Sequence, residues 1–429
     1  ADYIVGNPPF IGNKRMRAAL GDEYVVALRS AYSTLSASVD FVMYWWDHAA
    51  KLVAAGKAQR LGFITTNSIT QPFNRAIIEA NMNGKRPLSL VYAIPDHPWV
   101  DSADGAAVRI AMSVATSGNN KGVLGKVIGE KERPDGEIYV YLDEVRDTIY
   151  ANLEIGADLS SAIELNANER LASQGANPLG LGFRLSREQV ESYGYRIDSL
   201  PSVLRPYSIG RDLVQRPEEK FVIDFFGIQE AEARLNHPAL FQHLFTYVKL
   251  ERDQNRRDTR RLNWWLFGES APMFRSASKG IKQYIATCRT AKHRLFSMLP
   301  VTTIPDAKIV AIALDDYYAL SVLSSKFHTA WAMSTGGWLG VGNDSNYNHS
   351  DCFGKFPFPA STPAQQEKIR VLGEQLDAHR KRQQALHPTL TMTGMYNVLE
   401  RVRELETPGQ ARSDVPSLNA KEKLIYEQG

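Results

Sequence analysis

An α/β fold built on an open sheet is what this sequence predicts, on two observations. Over residues 1 to about 118, short apolar runs alternate with segments of helical periodicity, the rhythm of strands joined by helical crossovers. After residue 200, strand-like runs such as "KFVIDFFG" and "KIVAIAL" again alternate with helices, until the chain turns wholly helical beyond "FGKFPFPAS". The composition agrees: with 44% apolar and 23% charged residues over 429 positions, the chain falls among ordinary globular proteins and outside the disordered, collagen-like and coiled-coil classes. That length accommodates two or three domains, each with its own core.

Taken in order, "DYIVG", "RLGFITTN", "LSLVYAI" and "AAVRIAMSVAT" read as four strands, a partial sheet for such a fold. Between the first two, Val39, Val42, Met43, Trp46, Ala49, Ala50 and Val53 recur at helical spacing, and Gly56 reads as the C-terminal cap. Two further helices cover 14–20 and 72–82. "SGNNKG" at 117–122 is turn chemistry and reads as a domain boundary. From 123 to about 200 the strands "GEIYVYL" and "GFRLS" flank a polar, glycine-bearing stretch without assignable chemistry. In the helical tail, Ile369, Leu372 and Leu376 form one apolar stripe and Val398, Leu399, Val402 and Leu405 another. The expected division is 1–118, 119–199, 200–358 and 359–429.

A net charge of +3 over this length says little unless the basic residues cluster. Cys288 and Cys352 lie far apart with no Cys/His spacing, so neither a disulfide framework nor a metal site is indicated, and the compartment reads as reducing. The longest apolar stretch, "FVMYWWDHAAKLVAAG", carries Asp47, His48 and Lys51 within one helix length and cannot span a bilayer. No signal-peptide pattern precedes it, so no membrane partner is expected. The chain opens inside a strand without an initiating Met, which reads as a piece cut from something longer.

That opening strand ends in Asn7, Pro8, Pro9 and Phe10. In open α/β folds the carboxyl edge of the sheet is where ligands bind. Proline fixes its own φ and extends its predecessor, and neither Pro8 nor Pro9 has an N–H, so the loop is stiff and rich in acceptors. The Asn7 amide oxygen and the Pro8 carbonyl can together accept both hydrogens of a planar amino group, with the Phe10 ring stacked on the heterocycle that carries it. If the amine attacks an electrophilic methyl, positive charge develops on nitrogen, and two fixed acceptors stabilise it more than they stabilise the ground state. For these four letters alone, a strand-terminating turn is an equal reading.

The stretch resembles motif IV of the amino-group DNA methyltransferases. Together with "LGFITTNS", "IPDHPWVDSADGAAVRIAMSV", "YSIGRDLVQRPEEKFVIDFFG", "NWWLFGES", "AKHRLF" and "YNHSDCFGKFPFP", it is similar over nearly the whole chain to the MmeI-like, type IIL restriction-modification family. The resemblance implies a Rossmann-like methyltransferase sheet, here its C-terminal half in 1–118, a connecting region 119–199, an α/β target recognition domain in 200–358 and a small helical C-terminal domain in 359–429. It implies S-adenosylmethionine as cofactor, double-stranded DNA as partner, a flipped adenine gripped by Asn7, Pro8, Pro9 and Phe10, and a cytoplasmic location. In the family, the glycine-rich cofactor loop and its acidic partner sit on strands before this motif. Nothing precedes Ala1, so the cofactor half is expected to be missing, supplied by an absent N-terminal half or a separate chain, and the isolated chain to be inactive. "GGWLGVGN" at 336–343 follows a helical pattern rather than a strand and does not replace it. Glu218 and Lys220, with Asp212 upstream, have a nuclease-like spacing but read as solvated loop charges.

For the nucleic acid, Lys249, Arg252, Arg256 and Arg260 recur at three and four, so a helix there carries a basic stripe; pairing with Glu251, Asp253 and Asp258 on a solvated helix is an equal reading. Trp264 and Trp265 read as core, and Lys292, His293 and Arg294 form a second small cluster. The loop "GNDSNYNHS" places Asn343, Asn346, Asn348 and His349 where side chains that donate and accept can read base edges, although turn chemistry explains asparagines equally well. The resemblance favours base reading, because in the family the stretch before the Phe-Pro pair contacts bases. Two other functions remain open from sequence: a DNA-binding specificity module without catalysis, and a methyltransferase acting on protein glutamine or RNA.

Overall fold

A computed structural model describes residues 2–100, 107–132, 138–156, 159, 162–339, 344–406 and 417–429. Its contacts divide into two compact units, 1–162 with 334–344, and 163–333 with 345–429.

In the first unit, β1 (Tyr3–Gly6), β2 (Arg60–Thr66), β3 (Leu88–Val100), β4 (Ala107–Ser117), β5 (Gly122–Glu132) and β6 (Ile138–Asp147) form one mixed sheet in the order β1-β2-β4-β3-β5-β6. β1 runs parallel to β2, with Gly6 opposite Phe63, so both strands end at the same edge. Their crossover carries the helices α1 (Met16–Leu20), α2 (Asp22–Ala31) and α3 (Val42–Ala54), and α4 (Pro72–Met82) leads from β2 to β3. The apolar face of α3 buries Val42, Met43, Trp46, Ala49, Ala50 and Val53 against Leu61, Phe63, Leu90, Ala111 and Ala115 of the sheet. Within that core the Trp46 indole N–H donates to Ser113 Oγ at 3.2 Å.

The sheet has two strands more than the four expected, and the boundary expected near 118 falls inside it. "SGNNKG" is the turn that joins β4 to β5, and Gly118 takes a left-handed φ of 92° there. β5 escapes the pattern because Gly122, Gly125, Lys126 and Gly129 interrupt its apolar alternation.

The second unit holds two four-stranded sheets. One orders Ile304–Pro305, Leu204–Ser208, Lys220–Ile223 and Arg184–Ser186; the other orders Ser297–Pro300, Gln283–Cys288, Ile309–Ile312 and Ala172–Gln174. Trp264 and Trp265 are buried in its core, as their types predict. The tail helix Pro363–Leu386 starts with a capping box between Thr362 and Gln365. Its buried face is Gly373, Asp377, Arg380 and Gln384, whereas Leu372 and Leu376 stand exposed, against the expected stripe. The reason is the closeness of its neighbour Tyr317–Ser324: a Cβ on Gly373 would lie 2.3 Å from Ser321 Oγ and 2.5 Å from the Tyr317 carbonyl. Among the described residues no helix is long and apolar enough to cross a membrane.

Candidate functional site

The loop Asn7–Phe10 leaves β1 at the edge where β2 also ends. Gly6 is required there because the Phe63 ring lies beneath it, 2.9 Å from where a Cβ would stand. Pro8 is buried and anchors the loop, while Asn7 and Pro9 are exposed and Phe10 retains 38% of its accessible surface. Among the described residues the Asn7 amide makes no hydrogen bond, and no donor reaches the Pro8 carbonyl. The loop thus carries two oxygens that no described donor binds, on residues next in sequence to Pro9 and the exposed Phe10.

Residues that the sequence did not single out hold this loop. The Ile11 N–H donates to the Pro9 carbonyl at 3.0 Å, and the Phe41 N–H to the Ile11 carbonyl at 2.9 Å. Asp40 Oδ1 accepts the Asn13 N–H at 2.9 Å; Asp40 Oδ2 accepts Ser68 Oγ at 2.8 Å and Asn74 Nδ2 at 2.9 Å. Asn74, itself buried, returns the contact by accepting the Asp40 N–H at 3.0 Å, and its Nδ2 also donates to the Ser68 carbonyl at 2.8 Å. The signal was present as an acid just before an apolar helix and an Asn-Ser pair just after a strand, but neither pattern names a partner.

The described residues fit the amine side of a methyl transfer. They do not complete a cradle for S-adenosylmethionine: Gly6 is occupied by packing on Phe63, and no acidic side chain on β1 or β2 stands opposite a glycine-rich turn.

The expected basic stripe is not one face. Two short helices, Lys249–Asp253 and Asp258–Leu262, replace the single helix. The break comes from Asn255, whose Oδ1 accepts the Arg257 N–H at 3.0 Å in place of a continuing turn. Lys249 pairs with Asp253 at 2.5 Å and lies 5.8 Å from the Trp264 ring. Arg252 turns inward, 1% exposed, and donates to the carbonyls of Pro178 at 2.6 Å and Leu266 at 3.2 Å; burial lowers its pKa. Arg260 is half-buried against Glu269 at 3.3 Å. Arg256 is exposed in the turn, without an ion pair among the described residues. In the second cluster Arg294 is buried under the Ser345 carbonyl at 2.8 Å, and Lys292 and His293 both reach Asn397. Glu218 is exposed and pairs with Lys220 at 2.6 Å, but the three are not all the solvated loop charges expected: Lys220 opens the strand Lys220–Ile223, and Asp212 is buried, accepting the Ile209 N–H at 2.7 Å.

Of the loop residues, Asn343 lies outside the described residues. Asn346 is half-buried, paired through its backbone with Thr290, and its Oδ1 is buried without a hydrogen-bond partner. Asn348 is committed to structure: its Oδ1 accepts the Ser350 N–H at 3.1 Å and its Nδ2 donates to Asp351 at 2.8 Å, capping the turn His349–Gly354. His349 is half-buried, its pKa lowered first by burial and then by Arg289.

Residues 1–125 match the family model of the MmeI DNA-methyltransferase domain. No match is found among curated proteins. Among solved structures the chain is similar in fold to the type IIL restriction-modification enzyme MmeI in complex with DNA, with a TM-score of 0.70 and 17% identity. That likeness covers 100% of this chain and 57% of the other, so the chain spans little more than half the length of MmeI. Weaker likenesses are to the type IIG restriction endonuclease BpuSI (TM-score 0.32, 10% identity, 100% of this chain and 53% of the other) and to the DrdV–DNA complex (0.39, 11%, 88% and 44%).

Proposed function

We propose that the protein is a site-specific DNA adenine methyltransferase of a restriction-modification system, acting on double-stranded DNA in the cytoplasm; the match of residues 1–125 to the MmeI DNA-methyltransferase domain supports this reading. The observation that carries this reading is the pair of uncommitted acceptors at the end of β1, Asn7 Oδ1 and the Pro8 carbonyl, beside the exposed Phe10 ring. An adenine turned out of the duplex offers both hydrogens of its exocyclic amine to those oxygens and its face to Phe10. As the nitrogen bonds to a methyl group, the charge that develops on it is stabilised by oxygens that no described residue already binds. S-adenosylmethionine would supply the methyl from its sulfonium and leave as the thioether, while the amine would lose one proton to solvent.

In the same reading the second unit contains the target recognition region, within 200–358, and the helical domain 359–429 supports it. Arg256 is the candidate phosphate contact, and Asn346 and His349 are the candidate base contacts. Arg252 and Asn348 are structural.

The test is methylation of a randomised duplex library by the intact protein with S-adenosylmethionine, followed by mass analysis of the modified nucleosides. The expected product is N6-methyladenine. Asn7→Ala should reduce it at least about a hundredfold while DNA affinity stays within about twofold, because the amide acts as charge develops and contributes little to phosphate binding. Full turnover by Asn7→Ala, or a product on cytosine, would sink the assignment.

A further inference from the structure

We propose that Asp40, working through Ser68 and Asn74, is the positioning residue that aims the acceptor loop at the target amine; the proposal rests on the function just given and deepens it.

Three separate segments converge on one carboxylate. The loop leaving β1 reaches Asp40 through the Asn13 N–H, and the backbone beside Asp40 reaches back through the Phe41 N–H to the Ile11 carbonyl. The turn after β2 reaches it through Ser68 Oγ, which also lies 2.6 Å from Thr66 Oγ1. The first turn of α4 reaches it through Asn74, in a reciprocal pair with the Asp40 backbone. Asp40 and Asn74 therefore lock residues 11–13 to the ends of β1 and β2 together. Pro8 and Pro9 leave only the Asn7 side of the loop with rotational freedom.

The chemistry explains why an acid serves here. A carboxylate is acceptor-only, and it meets three donors from three segments without an internal donor to misplace. The amide of an Asn at this position has one acceptor oxygen, so its NH₂ would face either the Asn13 N–H or Ser68 Oγ and Asn74 Nδ2 together, and either way a donor meets a donor. The acid itself does not reach the amine. Its effect passes through the loop, and a displacement of about 1 Å at Asn7 is enough to cost about a hundredfold in rate.

The experiment uses the intact protein with Asp40→Asn, Ser68→Ala, Ser68→Thr, Asn7→Ala and the double variant Asn7→Ala/Asp40→Asn. Three quantities are read: methylation kinetics on target DNA, thermal unfolding, and amide hydrogen exchange at Asn13. Asp40→Asn should lower kcat about 10- to 100-fold with KM for DNA within about twofold, and should speed exchange at Asn13 ahead of global unfolding. Ser68→Ala should lower kcat less, and Ser68→Thr, which keeps the hydroxyl, should restore it. The double variant should be no slower than Asn7→Ala alone, since a positioning residue has nothing left to position. Unchanged kcat in Asp40→Asn, or a loss that multiplies with that of Asn7→Ala and tracks only the loss of folded protein, overturns the positioning role. Full turnover in Asn7→Ala instead overturns the catalytic reading beneath it, so the two failures are told apart.

Discussion

Arg252 and Arg256 are one helical turn apart in sequence and have opposite fates. Arg252 is sealed beneath two backbone carbonyls, over the Phe183 ring at 5.6 Å, whereas Arg256 stands in water. Removing Arg252 takes the donor from the Leu266 carbonyl, leaves Pro178 with only the Gly268 N–H and empties a cavity, so Arg252→Ala should destabilise the second unit by about 2 kcal/mol or more, seen as a lower unfolding midpoint. Arg256→Ala should leave stability unchanged and reduce the slope of DNA affinity against salt by about one counterion. An unchanged slope would place Arg256 outside the interface. Spacing alone ranked the two alike because a helical wheel assumes a continuous helix, and the interruption depends on one asparagine side chain capturing one N–H. The Asn-Pro-Pro-aromatic loop was legible for the opposite reason: its stiffness and its acceptors are properties of the residues themselves. Asp40, Ser68 and Asn74, which hold that loop, are up to 34 positions apart and met only in the fold.

His328 carries a pH dependence that can be signed. It is fully buried among Phe296, Tyr347 and Phe356, with Nε2 2.9 Å from the Tyr347 hydroxyl. Burial first and Arg294 second lower its pKa to about 3. A group protonated more readily when unfolded draws the chain toward unfolding as pH falls, so its stabilising effect is complete above about 6.5 and is lost progressively toward 3. Between pH 6 and 4 the unfolding free energy should fall about 1.4 kcal/mol per pH unit more steeply for the parent than for His328→Phe. Equal slopes in urea titrations would show that His328 already binds its proton in the folded state.

At the scale of elements, the tail helix shows why an apolar stripe can point the wrong way. Leu372 is 63% exposed and Gly373 is buried, because closeness to Tyr317–Ser324 is reached only where no side chain intervenes. Ser321 Oγ uses that closeness, donating to the Ile369 carbonyl at 2.6 Å. Intrinsic propensity predicts that Gly373→Ala stabilises the helix by about 1 kcal/mol. The packing predicts the reverse: the new methyl would meet a backbone carbonyl that cannot turn aside, at a cost of about 1 to 3 kcal/mol, and the second effect is the larger. Calorimetry should therefore show a lower midpoint for Gly373→Ala, and a higher one would mean that the two helices separate freely. Hydrophobic pattern reading missed this face since it searches for large side chains. β5 was missed for a related reason, its glycines being places of close approach rather than breaks.

At the scale of the whole molecule, the acceptor loop belongs to the first compact unit and the candidate DNA-reading residues to the second. Chemistry and recognition assigned to different units should be separable by mutation. In the proposed function Asn7 meets the reacting amine, so Asn7→Ala should depress methylation of every sequence by the same factor, leaving the preferred site unchanged. Substitution of Asn346 or His349, if either meets a base edge, should alter preference at one position of the site, since a good base contact contributes about 1 to 3 kcal/mol of discrimination. Asn348→Ala should loosen the cap on His349–Gly354 and lower stability by about 1 kcal/mol without redirecting the site, because its amide is already spent on Ser350 and Asp351. Sequencing the adenines methylated in a randomised library resolves these outcomes, since a catalytic loss scales the whole profile and a recognition loss reshapes one column of it. If Asn348→Ala reshapes a column while Asn346 and His349 variants do not, the capping hydrogen bonds are given up on DNA and the reading residue is Asn348.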